Sequence, residues 1–79
     1  MGNTHEPYTV AQVLERHGTD CHICREPVDL TVSGRPGYQS GWERGLQLDH
    51  VVALVNGGPD TLDNVLPSHA ICNMRKQRA

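Results

Sequence analysis

Phenylalanine is absent from this chain, and one Trp and two Tyr are its only aromatic residues. Aromatic side chains dominate the energetics of most protein cores, so the interior here has to be small. With 79 residues the chain makes one domain, and a domain of that size buries only about 60% of the surface its unfolded chain exposes. A covalent or metal staple is therefore expected. Long apolar runs are also missing. The longest is Val51-Val52-Ala53-Leu54-Val55, far short of the ~18 residues that a membrane-spanning helix needs. No signal peptide is visible. A soluble, cytoplasmic protein is expected. Three cysteines cannot all pair as disulfides, and in a reducing compartment their spacing points to metal binding or catalysis first. Nor is there an excess of charge of one sign: the formal net charge is −2, which gives no global nucleic-acid signal. Locally, Arg75, Lys76 and Arg78 place three of the seven basic residues near the C-terminal end.

Two sets of metal-binding residue types interleave. Cys21-x-x-Cys24 and His69-x-x-Cys72 are two pairs with zinc-ligand spacing, and a structural zinc takes four such ligands tetrahedrally. A C-x-x-C turn presents two thiolates from one tight loop, and residues three apart in the first turn of a helix share a face. The helix start also favours a thiolate's charge. His22 lies inside the knuckle, and adjacent residues seldom ligate one ion well, so it is expected to face solvent.

The second set is Asp49-His50, Asn64 and Asn73. Successive strand residues point to opposite faces, which suggests that Asp49 offers an oxygen ligand while His50 acts elsewhere as a base. Asn73 lies about 100° round a helix from Cys72, off the zinc face, where it can share a divalent ion with Asp49. Two oxygen ligands with open positions suit Mg²⁺ or Mn²⁺. Asn64 is placed to bond backbone across the loop and so position the His50 imidazole, whose ordinary pKa near ~6.5 suits general-base work.

Along the chain, residues 1–8 are expected to form a flexible leader and residues 9–79 one domain. Thr9 and Gln12 fit a capping box for a helix over Val10–His17, with Val10, Val13 and Leu14 on one face and Gly18 as its stop. Residues 33–45 form a Gly-rich loop carrying Tyr38 and Trp42. These two aromatics are expected to pack the thin core, base stacking being the alternative. A strand is expected from Leu46 to about Val52, a turn at Asn56-Gly57-Gly58-Pro59, a return segment over Leu62–Leu66, and a helix of roughly ten residues opened by Pro67-Ser68 with Ser68 as N-cap.

The stretch Leu48-Asp49-His50-Val51-Val52-Ala53-Leu54, followed by Gly57-Gly58, Asp63-Asn64 and Cys72-Asn73-x-x-Lys76, resembles the HNH endonuclease motif throughout its length. Cys21-x-x-Cys24 and His69-x-x-Cys72 resemble the zinc clamp of the cysteine-containing branch of that family. The resemblance covers about residues 20–77, with the motif core over about 46–77. It implies a small α+β protein with a ββα-metal, treble-clef-like core, a structural zinc and a short N-terminal helix. It implies that His50 is the general base, that Asn64 fixes the loop, and that Asp49 and Asn73 ligate a catalytic divalent ion, Mg²⁺ or Mn²⁺. Many members carry His where this chain has Asn73. Some supply a further ligand four residues later; Gln77 stands there, a poor ligand, and is left unassigned. The implied activity is hydrolysis of DNA phosphodiester bonds, by nicking or low-specificity cutting, with Arg44, Arg75, Lys76 and Arg78 on phosphates. Small members of this kind are common in phages, which implies the host cytoplasm as location and terminase or other DNA-processing proteins as possible partners. Two other readings stand beside this one: a non-catalytic zinc module that grips nucleic acid or protein, and an accessory subunit of a DNA-packaging complex.

Overall fold

The computed structural model describes residues 6–78. Helix α1 spans Val10–His17 and carries a full capping box: the Thr9 side chain accepts from Gln12 N, and the Gln12 side chain accepts from Thr9 N. Gly18 ends the helix at φ 86, a backbone conformation that costs glycine nothing. Of the expected apolar face only Val13 is fully buried; Val10 is half exposed.

Three strands follow: β1 (Asp29–Ser33), β2 (Gly45–His50) and β3 (Val65–His69). They form one sheet in the order β1-β2-β3. β1 runs parallel to β2, and β2 runs antiparallel to β3 with Leu46 opposite His69 and His50 opposite Val65. Helix α2 (Ala70–Arg78) starts directly where β3 stops. The hairpin β2-β3 and the helix α2 form the ββα unit, and α1 packs on β3.

Three expectations need correction. No strand is expected at β1; Asp29-Leu30-Thr31-Val32-Ser33 alternates polar and apolar, but the segment is short and its burial does not follow the alternation, Leu30 being 52% exposed. The last helix does not begin at Ser68, and His69 lies at the end of a strand rather than in the first helical turn. Pro67 and Ser68 pair with Leu48 and Gln47, and the Ser68 hydroxyl donates to the Gln47 carbonyl instead of capping. Proline is tolerated there because β3 is an edge strand. Tyr38 is 64% exposed and stacks against the Arg35 guanidinium, so it does not pack the core. Trp42 is half-buried in a short 3-10 turn, Trp42–Arg44, against α2.

The buried apolar residues among those described are Val13, Cys21, Val28, Val65, Pro67 and Ala70, besides buried glycines. So few cannot fix a fold by area alone at ~25 cal/mol per Å², and the lack of aromatics has the consequence expected of it. Of the expected leader, residues 1–5 lie outside the described residues. Glu6 and Tyr8 are tied to the loop before β3: Glu6 N donates to the Asp60 carbonyl, the Tyr8 hydroxyl to the Asp60 carboxylate, and Leu62 N to the Glu6 side chain.

Candidate active site and metal centre

The knuckle at Cys21–Cys24 is a tight turn in which Arg25 N donates to the Cys21 carbonyl and Cys24 N to Cys21 Sγ. Its rim is held to β3 by His22 N donating to the Pro67 carbonyl. This brings Cys21 and Cys24 against His69 and Cys72, and the four ligand atoms all lie within 4.8 Å of one another. His69 Nδ1 is 3.2 Å from Cys24 Sγ and 3.7 Å from Cys72 Sγ. His69 Nε2 donates to the Pro27 carbonyl at 2.9 Å, which fixes the tautomer and leaves a lone pair on Nδ1 facing the sulfurs, as in orientated metal-ligating histidines. The four residues could hold a metal ion.

The thiols report the same thing electrically. Burial works against a Cys21 thiolate, but the N–H groups of Cys24, His69 and Ile23 outweigh it and lower its pKa to about 6. Burial, then the neighbouring Cys21 and Cys24, push Cys72 up to about 12. Three crowded sulfurs cannot all be thiolates without a cation among them.

The second site lies at the open end of the hairpin. β2 delivers Asp49 and His50 to a shared cleft of about 460 Å³, whose walls include Leu48, Leu54, Lys76 and Gln77. The two side chains diverge as strand neighbours must. Asp49 turns towards the knuckle and α2, where its Oδ2 meets His22 Nε2 at 2.8 Å and Lys76 Nζ at 2.7 Å. Its side chain is 6% exposed. His50 turns the other way, and its Nε2 lies 2.8 Å from Asp60 Oδ1.

Asn64 is buried and locks the loop after His50. Its Oδ1 accepts from Val52 N, while its Nδ2 donates to the carbonyls of Val52 and Pro59. Its own carbonyl accepts from Val51 N. The loop closes so tightly that a Cβ on Gly58 would stand 1.9 Å from the Val52 carbonyl oxygen. Glycine is required there by backbone approach.

Asn73 is buried on α2, but its Nδ2 donates to Gln47 Oε1 and its Oδ1 accepts weakly from Gln77. Among the described residues no hydrogen bond joins it to Asp49. Lys76, expected on phosphate, is paired with Asp49 and also reaches the His50 carbonyl at 3.3 Å. Arg75 is exposed on α2, and the Arg78 side chain lies outside the described residues. Arg44 precedes β2, six residues before His50, roughly 20 Å along an extended strand. There its charge, after the Thr31 hydrogen bonds and against slight desolvation, helps hold the Asp29 carboxyl below its usual range.

Two residues stand at this site that the sequence does not place there. His22 does not face solvent: its side chain is only 19% exposed and meets Asp49. Asp60 comes from the turn before β3, and no motif marked it.

The sequence model of the HNH endonuclease family matches residues 21–79. The chain belongs to that family. Its β2-β3-α2 unit with the Cys21, Cys24, His69 and Cys72 cluster is the ββα-metal arrangement. Comparisons with curated proteins and with solved structures gave no match. An HNH nuclease domain implies a nucleic-acid substrate. Among the described residues no helix is long and apolar enough to cross a membrane.

Proposed function

We propose that this HNH protein is a metal-dependent endonuclease that hydrolyses DNA phosphodiester bonds, by nicking or with low sequence specificity. One observation carries the reading. Asp49 and His50, adjacent in sequence, open onto one cleft while each is held by a different partner.

Asp60 accepts the hydrogen on His50 Nε2, which leaves Nδ1 as the basic nitrogen. His50 then takes a proton from the water that attacks phosphorus. Asn64 holds the loop so that the ring keeps its position. The Asp49 carboxylate holds the Lys76 ammonium and meets His22, so a divalent ion there would take the place of Lys76. Asp49, with Asn73 after a side-chain shift, would hold that ion. Bound there, Mg²⁺ or Mn²⁺ supplies positive charge to the scissile phosphate and the leaving 3′-oxygen. Lys76 and Arg75 stand at the cleft and on the same helix, where they can contact phosphates. Such contacts position a duplex but do not read its sequence, which is why low specificity follows.

The four-residue cluster holds a structural zinc in this reading. Three thiolates and an imidazole are the donor set that zinc takes in closed sites, and the raised Cys72 pKa is the cost that the ion removes. The test is incubation of zinc-loaded protein with supercoiled plasmid. Relaxed or linear DNA should appear with Mg²⁺ or Mn²⁺ and not with chelator. Plasmid left intact under every divalent ion would overturn the proposal.

A further inference from the structure

His22 is the residue whose position the endonuclease reading leaves unexplained. It stands between two cysteines of the zinc cluster, yet it turns away from them. Its backbone N–H is pinned to the Pro67 carbonyl at 3.0 Å, so the ring is carried on a fixed support. The ring is mostly enclosed, and its Nε2 lies 2.8 Å from Asp49 Oδ2.

That separation matches a coordination edge. Metal–nitrogen and metal–oxygen bonds of about 2.1 Å meeting at a right angle put the two donor atoms roughly 3.0 Å apart. The two donors therefore already lie at about the right separation; a change of imidazole tautomer and a turn of the ring away from Oδ2 would aim the Nε2 lone pair at a shared ion. Asn73 does not bring an imidazole to this site, and its amide is engaged with Gln47. Lys76 Nζ on the same carboxylate oxygen shows that the position attracts a cation.

We propose that His22 is a ligand of the divalent ion held at Asp49, so that one turn of chain serves two metals: Cys21 and Cys24 the zinc, His22 the catalytic ion. The inference rests on the endonuclease reading for the existence of that ion. One imidazole in the donor set favours Mn²⁺ and its later neighbours over Mg²⁺. An ion held at Asp49 would displace Lys76 from that carboxylate and leave its ammonium for phosphate. Zinc and catalytic ion then share a rigid element, and loss of the first removes a ligand of the second.

The test is Mn²⁺ binding to protein carrying one zinc per chain, without DNA and without an activity readout. Pulsed EPR of bound Mn²⁺ should show the hyperfine coupling of a directly coordinated imidazole nitrogen. The coupling should be lost in His22→Ala and His22→Gln and kept in His50→Ala. Mn²⁺ affinity should fall at least about tenfold in the two His22 variants and vanish in Asp49→Ala. Coupling and affinity unchanged in zinc-loaded His22 variants, with binding still lost in Asp49→Ala, would overturn the His22 assignment and leave the endonuclease reading standing. Coupling lost only in His50→Ala would reassign the ligand and likewise overturn it. Wild-type protein that binds no Mn²⁺ would remove both the ion and its ligand. The wild-type spectrum requires no variant to fold, so the assignment stays open to refutation even if His22→Ala loses zinc.

Discussion

His50 Nε2 and Asp60 Oδ1 are 2.8 Å apart, although one ends a strand and the other lies in the turn that follows the Gly57-Gly58 loop. The carboxylate sets the direction of the ring and selects which nitrogen carries hydrogen. Asn64 fixes the backbone around the same loop. The proposed base is thus held twice, by its ring and by its chain.

Asp60→Asn keeps the size of the side chain but weakens its hold on the ring. A positioned base contributes about 10²–10⁴-fold to rate, and loss of its orientation should remove a part of that, on the order of tenfold to a hundredfold in kcat. DNA affinity in gel shift should stay within about twofold, since neither residue is charged towards phosphate in this role. A drop in affinity with unchanged kcat would contradict it.

The Tyr8 hydroxyl donates to the same carboxylate. That hydrogen bond, then burial, then the Asp60 charge raise the phenol from 10.0 to about 12. The folded-state pKa lies above the unfolded one, so the stabilisation is fully present below about pH 10 and is lost as pH rises through about 12. In Tyr38→Phe protein, phenolate absorbance from Tyr8 should appear near pH 12, and Asp60→Asn should bring it back towards 10. Titration near 10 in both proteins would mean that the Tyr8–Asp60 hydrogen bond is not formed in solution.

Much of this architecture could be read from sequence where the signals are local. The capping box of α1 depends on residues three apart, and the β2-loop-β3-α2 order follows from one contiguous motif. What escaped is long-range or conflicted. Tyr8 and Asp60 are 52 residues apart, and no pattern links them. Pro67-Ser68 carries a helix-start signal, but pairing with Leu48 and Gln47 overrides it. His22 reads as solvent-facing in sequence because residues adjacent to a metal ligand seldom ligate the same ion. A tight turn directs alternate side chains apart, and that is what gives His22 its own contact.

Zinc removal should unfold the domain, because so few apolar residues are buried and a structural zinc contributes on the order of 10–16 kcal/mol of apparent folding free energy. Ligation requires thiolates, so protons compete with the ion and affinity falls as pH falls. Cys21 is lowered to about 6, whereas Cys72, raised to about 12, gives up its proton at neutral pH only to a metal. Zinc should therefore be held more tightly as pH rises and released on acidification. Circular dichroism, with a colorimetric zinc indicator, should show release and unfolding together.

Arg25 follows the knuckle at φ 73, the one positive-φ non-glycine residue among those described. A side chain in the left-handed region costs about 1–2 kcal/mol, part of which glycine returns as lost backbone entropy. Arg25→Gly should stabilise the zinc-loaded protein by about 0.5–1 kcal/mol, a rise in Tm of roughly 2–8 °C at this size. A fall in Tm at full zinc occupancy would show that the Arg25 side chain contributes more than its backbone costs.

The most direct measurement compares wild-type protein with His50→Ala on supercoiled plasmid, each carrying one zinc per chain and each supplied with Mn²⁺. The wild type should convert supercoiled DNA to the relaxed form, and the variant should do so at least about a hundredfold more slowly while melting at the same temperature. Equal rates from the two proteins would show that His50 is not the base, and the account of the cleft built on Asp49, His50 and Asp60 would fail.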